Sequence, residues 1–381
     1  MPTIGLSQIV KNEEHVIERM LLSIKDIVDY ITIVDTGSTD NTKQKIEDFC
    51  NKYNIPFTIG EKEFDDFASC RNYALELADN KTDYSFFLDA DEVLMFNNFD
   101  KSNLTKDIYL VTTHYNNKTY NRVQFWKNKK GFRWNGVLHE HLDFDKEKNT
   151  YGVLPNVACK VRSDGHSWTT DVAQKYYNHA KTLESYVIEK ERTPREVFYL
   201  AQSYCDSARV KNNYFENEER LRRALYYYNE RITMTGGNNE EVYLSQLKVA
   251  DIKKRLGESF LDIKEHLLKA HDMDMLRGEA ISYIIDHYQQ HRDFKKSLIY
   301  AEYGYNNYHK NNPYPLRSLH IDFSLYEWKF LKMYMNSCYY TGKIEKAKQL
   351  LKELKIIINN SPQYFSKTDI EKINQNEKVI M

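Results

Sequence analysis

The chain has 381 residues, with 54 Lys and Arg against 55 Asp and Glu. That length is too great for one small core and implies about two domains, and the near-zero net charge argues against the basic footprint of a general nucleic-acid binder. No apolar run approaches the ~18 residues that span a bilayer, and the N-terminus lacks a charged segment followed by a long apolar one. A soluble, cytoplasmic protein without a transmembrane segment is therefore expected. Five scattered cysteines form no Cys-x-x-Cys pair, which points to reduced, buried thiols and not to a disulfide framework or a zinc site.

In chain order, Ile4–Val10, Tyr30–Thr36, Ile55–Gly60 and Tyr84–Ala90 read as short strands buried on both faces. Between them, Val16, Met20, Ile24 and Ile27 recur at helical spacing, as do Ile46, Phe49, Cys50 and Tyr53, and then Ala74, Leu75 and Ala78. Alternating strand and helix implies a mostly parallel α/β sheet. Such sheets take ligands beyond the carboxyl ends of their strands, and three of those ends are polar: "VKNEE", "VDTGSTDNT" and "LDADE". Ser38, Thr39 and Asp40 suit helix N-caps with Gly37 in a turn. Asp35 sits at the strand end itself, where its carboxylate can accept hydrogen bonds from a ribose or a base edge. Neither G-x-G-x-x-G nor G-x-x-x-x-G-K-[ST] is present, so bound phosphates need another device. Asp89 and Asp91, one residue apart on an extended strand end, point the same way, and Mg²⁺ or Mn²⁺ suits such hard oxygen ligands together with substrate phosphate. Glu92 reads as a solvated exit residue.

These residues amount to a resemblance. Residues 1 to about 170 resemble a family 2 glycosyltransferase with the GT-A nucleotide-diphospho-sugar fold. "IVKNEE" is similar to that family's first-strand motif, "IVDTGSTDNT" to its nucleotide loop and "FASCRNYAL" to its Arg-Asn helix. "FLDADE" is similar to its D-x-D element and "FRWNGVLHEHL" to its acceptor-side segment. The resemblance implies that Asn12, Glu13 and Asp35 contact the donor nucleotide, with Arg71 and Asn72 near its ribose or diphosphate. It further implies that Asp89 approaches the ribose or the metal, that Asp91 ligates the metal, and that His166 in "SDGHSWTTD" joins the metal or diphosphate site. UDP is the nucleotide it favours.

Inverting transfer needs a base opposite the leaving group. Glu140 in "GVLHEHL" fits, beside the apolar walls Phe132 and Trp134, and His139 is the second candidate; the competing reading is a strand with His139 and His141 on one face and Glu140 on the other. Trp134 and Trp168 are candidate platforms for a sugar ring.

The pattern changes near residue 190, giving expected domains 1–190 (transferase) and 191–381 (all-α). The latter resembles divergent tetratricopeptide-like hairpins. "REVFYLAQSYCDSA" pairs with "EERLRRALYYYNERI", and three further pairs start near Glu241, Glu279 and Tyr326. Their spacing exceeds the usual ~34 residues. Ala201, Ala224, Ala250, Ala301 and Ala347 fall where close packing needs small residues. Stacked hairpins leave a concave surface, so this half is expected to recognise a glycan or protein acceptor or to form a homodimer. Two other classes compete with a transferase: a nucleotidyltransferase of related fold, and a non-catalytic helical scaffold carrying a degenerate catalytic domain.

Overall fold

The computed structural model describes residues 1–381 apart from 116–117, 167–170, 190–191, 212, 312–320, 363–364 and 381. The chain forms two compact units, Met1–Ala224 and Leu225–Met381.

The apolar runs become strands β1 (Ile4–Val10), β2 (Tyr30–Asp35), β3 (Phe57–Glu61) and β4 (Tyr84–Phe86), alternating with helices α1 (Ile17–Ile24), α2 (Thr42–Tyr53) and α3 (Phe67–Ala78). Burying Ile17, Met20, Leu21 and Ile24 gives α1 one apolar face, and the Asp66 carboxylate accepts Ser69 N to start α3. β1 pairs in parallel with β2 and β4, and β2 with β3, so that Val10 lies beside Asp35 and Leu6 beside Phe86. The sheet continues with β5 (Glu92–Phe96), β6 (Ile108–Tyr115), β7 (Lys118–Lys127) and β10 (Tyr151–Val161), in the order β3-β2-β1-β4-β7-β6-β10-β5. β7 runs antiparallel to β4 and β6, and β5 antiparallel to β10. Two short strands, β8 (Arg133–Asn135) and β9 (His141–Asp143), pair separately.

The fourth strand is shorter than expected. The ladder ends after Phe86, and Phe87 is held by Gln124 on both sides, its N–H donating to Gln124 O at 3.3 Å and its O accepting Gln124 Nε2 at 3.0 Å. Leu88 stays fully buried beyond the strand.

Helices α4 (Val172–Glu189), α5 (Pro194–Ser207) and α6 (Tyr214–Thr233) follow the sheet. α5 packs on α4 and not chiefly on α6, as the spacing had suggested. The second unit contains α7 (Asn239–Arg255) with α8 (Phe260–Met273), α9 (Glu279–Gln290) with α10 (Phe294–Gly304), and α11 (Phe330–Tyr340) with α12 (Ile344–Asn360), and ends in α13 (Lys367–Ile380). These three pairs form as expected and stack in sequence. Ala201, Ala224, Ala250, Ala301 and Ala347 are all buried, as are Tyr228, Tyr243, Tyr305, Tyr308 and Tyr326, so much of the tyrosine content is core. Among the described residues no helix is long and apolar enough to cross a membrane.

Candidate functional site

The ends of β1 and β2 are laced together before any ligand is considered. Asn12 takes a left-handed backbone conformation, φ +55°. Its N–H donates to Ser38 Oγ (3.0 Å) and its Oδ1 accepts Thr39 N (2.7 Å), while Glu13 N donates to Thr42 Oγ1 (2.8 Å). The Asn12 side-chain oxygen is thus committed to the loop. Asp35, 3% exposed, accepts Gly37 N and Ser38 N on Oδ1 at 2.9 and 2.8 Å, leaving its buried Oδ2 with no hydrogen-bond partner among the described residues. A buried carboxylate oxygen without a donor costs free energy, and a ligand N–H or O–H would satisfy it.

The floor is built on Arg71 from α3, 6% exposed. Its Nε donates to Glu140 Oε1 at 2.6 Å, its Nη2 to Asp89 Oδ1 at 2.8 Å and its Nη1 to Gln8 Oε1 at 3.4 Å. Its guanidinium carbon lies 4.9 Å from the Phe87 ring centroid and 5.2 Å from that of Trp134, inside cation–π range. One planar cation therefore fixes Asp89, after β4, relative to Glu140, in the β8–β9 connection. Burial opposes ionisation of Asp89, but attraction to Arg71 and Arg122 outweighs it and holds the carboxyl below its ordinary range, although 39% of the side chain meets solvent.

Glu92 is not the solvated exit residue that was expected. It is 2% exposed, pairs with Arg122 of β7, and its Oε2 accepts Asp89 N at 3.0 Å. Burial above all raises its proton affinity. Arg122 also lies 4.7 Å over the Phe87 ring and 3.9 Å from Asp89 Oδ2. Neither Arg122 nor Gln8 emerged from sequence reasoning. The signal available was a polar residue inside an otherwise apolar strand, as in "GLSQIV" and "NRVQFW".

Glu13, Asp91 and the 165–166 turn meet on the other side of the floor. His166 N donates to Glu13 Oε2 at 3.1 Å, and the His166 side chain is exposed. A Cβ added at Gly165 would lie 3.1 Å from Asp91 Cβ and 3.2 Å from Glu13 Oε2, so a larger residue there would require these side chains to give way by a few tenths of an ångström. Burial, reinforced by Asp91 and Asp89, pushes the Glu13 carboxyl up to about 7 against the opposing hydrogen bond from His166 N. Lys175 of α4 interacts electrostatically with Asp91; nothing in its amphipathic helix marks it in the sequence. Among the described residues no three His, Cys, Asp or Glu side chains are grouped to hold a metal ion.

Three expected residues serve the scaffold. Asn72 uses both side-chain ends on the Trp134 backbone, Nδ2 donating to Trp134 O (2.9 Å) and Oδ1 accepting Trp134 N (2.8 Å). Trp134 is buried edge-on against Phe87 and Trp126, so it walls Arg71 and offers no platform for a sugar; Trp168 lies outside the described residues. His139 stacks on Tyr199 of α5, ring centroids 4.1 Å apart and planes 13° from parallel. Burial, then repulsion from His179, Arg195 and Lys175, lowers it to about 3, too weak a base for neutral pH. Residues 136–140 form a connection between β8 and β9, not the strand with alternating faces that was the competing reading.

Carboxylates gathered at the ends of β1, β2 and β4, over a buried arginine, define an α/β domain of the class that takes its ligand beyond the carboxyl edge of a parallel sheet. Residues 9–153 match the family described as Glycosyl transferase family 2, and this part of the chain is a domain of that family, with its GT-A fold. The chain is 30% identical over 157 residues to a TPR repeat-containing protein of Synechococcus elongatus, covering 38% of this chain and 36% of that one. It is 28% identical over 214 residues to the SPbeta prophage-derived glycosyltransferase SunS of Bacillus subtilis, covering 53% and 49%. The chain thus spans at most about half the length of these curated relatives. Among solved structures it is similar to S. aureus TarS (TM-score 0.36, 14% identity, 65% of this chain and 52% of that one). It is likewise similar to the mannosyltransferase PcManGT of Pyrobaculum calidifontis in complex with GDP-Man and Mn²⁺ (TM-score 0.35, 14% identity, 72% and 87%).

Proposed function

We propose that the protein is a metal-dependent inverting glycosyltransferase that moves a hexose from a uridine-diphosphate donor to a hydroxyl on a glycan or protein. The observation that carries this reading is the single guanidinium of Arg71 holding Asp89 and Glu140 together at the floor of a family 2 domain. Asp35 Oδ2, buried and without a donor among the described residues, suits the base or ribose of the nucleotide, with Asn12 and Glu13 shaping the same edge. Arg71 sets the spacing between donor side and base, and Asn72 pins β8 beneath them.

The donor set suits Mn²⁺ or Mg²⁺. Asp91 and Asp89 offer hard oxygens, and such a cation completes its shell from diphosphate oxygens and water. His166 follows Gly165, whose added Cβ would lie 3.1 Å from Asp91 Cβ, and is the further candidate ligand. When bound, the cation stabilises charge on the departing diphosphate. Glu140 keeps one carboxylate oxygen on Arg71 and has the other to receive the acceptor's proton. As the acceptor oxygen bonds to the anomeric carbon, the bond to the diphosphate oxygen breaks and its electron pair leaves with the nucleotide. The helical unit is assigned to acceptor recognition or self-association.

The test is release of nucleoside diphosphate from UDP-glucose, UDP-galactose, UDP-N-acetylglucosamine and GDP-mannose with Mn²⁺. The expected result is turnover with a UDP-sugar that D91A abolishes while leaving the fold intact. Undiminished turnover by D91A would overturn the assignment.

A further inference from the structure

Glu140 is gripped at its side chain by Arg71, but its backbone is held from a different part of the chain. The connection that carries it is tight: Gly136 has φ +101°, and His139 lies in the left-handed region at φ +54°, a conformation that costs a non-glycine residue free energy unless its surroundings fix it. The surroundings that fix His139 come from α5. Arg195 Nη2 donates to His139 O at 3.1 Å, the Tyr199 ring stacks on the imidazole, and the Arg195 guanidinium carbon lies 4.7 Å over the opposite partner in that stack, the Tyr199 ring. Arg195 and Tyr199 are four residues apart, hence on one helix face. The helix start that presents them is rigid: Thr193 and Glu196 form a capping box and Pro194 occupies the first turn. Both residues lie beyond residue 153, where the match to the transferase family ends.

We infer that Arg195 and Tyr199 are positioning residues that hold the His139–Glu140 backbone so that the Glu140 carboxylate meets the acceptor hydroxyl, making α5 part of the catalytic apparatus. The inference rests on the reading of Glu140 as the base. His139 then serves as the handle through which α5 acts: its uncharged ring stacks, and its carbonyl accepts the arginine. Displacement of a reacting group by about 1 Å costs on the order of 100-fold in rate, and loss of either contact frees the one residue preceding Glu140.

The experiment measures kcat and donor KM for UDP release from UDP-glucose and UDP-N-acetylglucosamine with Mn²⁺ in wild type, E140Q, R195Q, Y199L and Y199F, alongside thermal midpoints. E140Q should lose turnover. R195Q and Y199L should lower kcat about 10- to 100-fold with donor KM unchanged, and Y199F, which keeps the ring, should restore the wild-type value. A general structural defect would instead lower the thermal midpoint and move KM together with kcat. R195Q removes only the guanidinium and keeps the test intact if Y199L folds poorly. If E140Q is inactive while R195Q and Y199L turn over like wild type, the inference fails and the base assignment stands. If E140Q retains full turnover, the reading of Glu140 fails and the inference with it.

Discussion

Replacing Arg122 by Met removes the only cation paired with Glu92 among the described residues, and it does so where the carboxylate has no access to water. Breaking a buried ion pair by deleting one partner costs about 3–5 kcal/mol. The lower end applies here, about 3 kcal/mol, because 20% of the Arg122 side chain meets solvent and its second carboxylate, Asp89, lies at 3.9 Å and is half-exposed. For a unit of this size, each kcal/mol moves the melting temperature by about 2–4 °C. Calorimetry should therefore show the transition of the first unit falling by about 6–12 °C while that of the second unit stays in place. The double variant R122M/E92Q supplies the control: an amide in place of the carboxylate removes the stranded charge and still offers an oxygen to Asp89 N–H, so most of the loss should return. A melting temperature within about 2 °C of wild type for R122M, or a double variant as unstable as R122M alone, would refute the claim that Glu92 is a buried, charged strut beneath the D-x-D segment.

Asn72→Ala should cost about 1–3 kcal/mol by leaving the Trp134 N–H and C=O unpaired, read as a fall of a few degrees in the same calorimetric transition; an unchanged transition would show that β8 does not depend on α3. Burial lowers His139 to about 3 and His179 to about 4. Groups depressed in the folded state give stability that is complete above the ordinary histidine value near ~6.5 and is lost as pH falls toward those lower values, at up to about 1.4 kcal/mol per pH unit per group. His139→Phe keeps a ring on Tyr199 and should flatten denaturant midpoints measured between pH 6.5 and 4; an unchanged slope would exclude His139 as its source. Saturating Mn²⁺ together with UDP should raise the first transition by about 5–10 °C at 100-fold excess over Kd in wild type and not in D91A; an equal rise in D91A would place the cation elsewhere.

The first four strands were legible because strands buried on both faces read as plain apolar runs, and "LDADE" and "VDTGS" were legible because charge follows such a run at once. The antiparallel part of the sheet was not, since β7 alternates Arg122, Gln124 and Trp126 with Val123 and Phe125, and a strand lined by site-facing polar groups resembles an exposed segment. Repeat pairs from α7 onward followed their spacing, but α5 did not, because spacing alone cannot say whether a helix packs on its predecessor or its successor. Within the site, the residue types were readable and their partners were not. Arg71, read as lying near the donor's ribose or diphosphate, spends three nitrogens on Glu140, Asp89 and Gln8, and Glu92, read as a solvated end, lies under the floor.

That division of partners has an electrostatic consequence. Glu13, Asp35, Asp89, Asp91, Glu92 and Glu140 surround the floor; among the described residues Arg71 pairs with Asp89 and Glu140, Arg122 with Glu92 and Asp89, and Lys175 and Arg19 interact electrostatically with Asp91. Arg71 is matched by Glu140 and Asp89, Arg122 chiefly by Glu92, and Arg19 by Asp164. The proton affinity of a carboxyl climbs beside Asp91, to about 7 at Glu13, through burial and then through Asp91 and Asp89. A nucleoside diphosphate entering beside that pair adds further negative charge to a place whose arginines are committed elsewhere. On the proposed reading, a divalent cation accompanies the diphosphate and offsets that charge. On that reading Asp91 offers the cation an oxygen, from a backbone held in place by Arg162 N donating to Asp91 O at 3.0 Å. Exchanging Arg71 for lysine would lose the planar fork that holds Glu140, Asp89 and Gln8 at once, and would free the two carboxylates that the proposed reading takes as base and donor-side group.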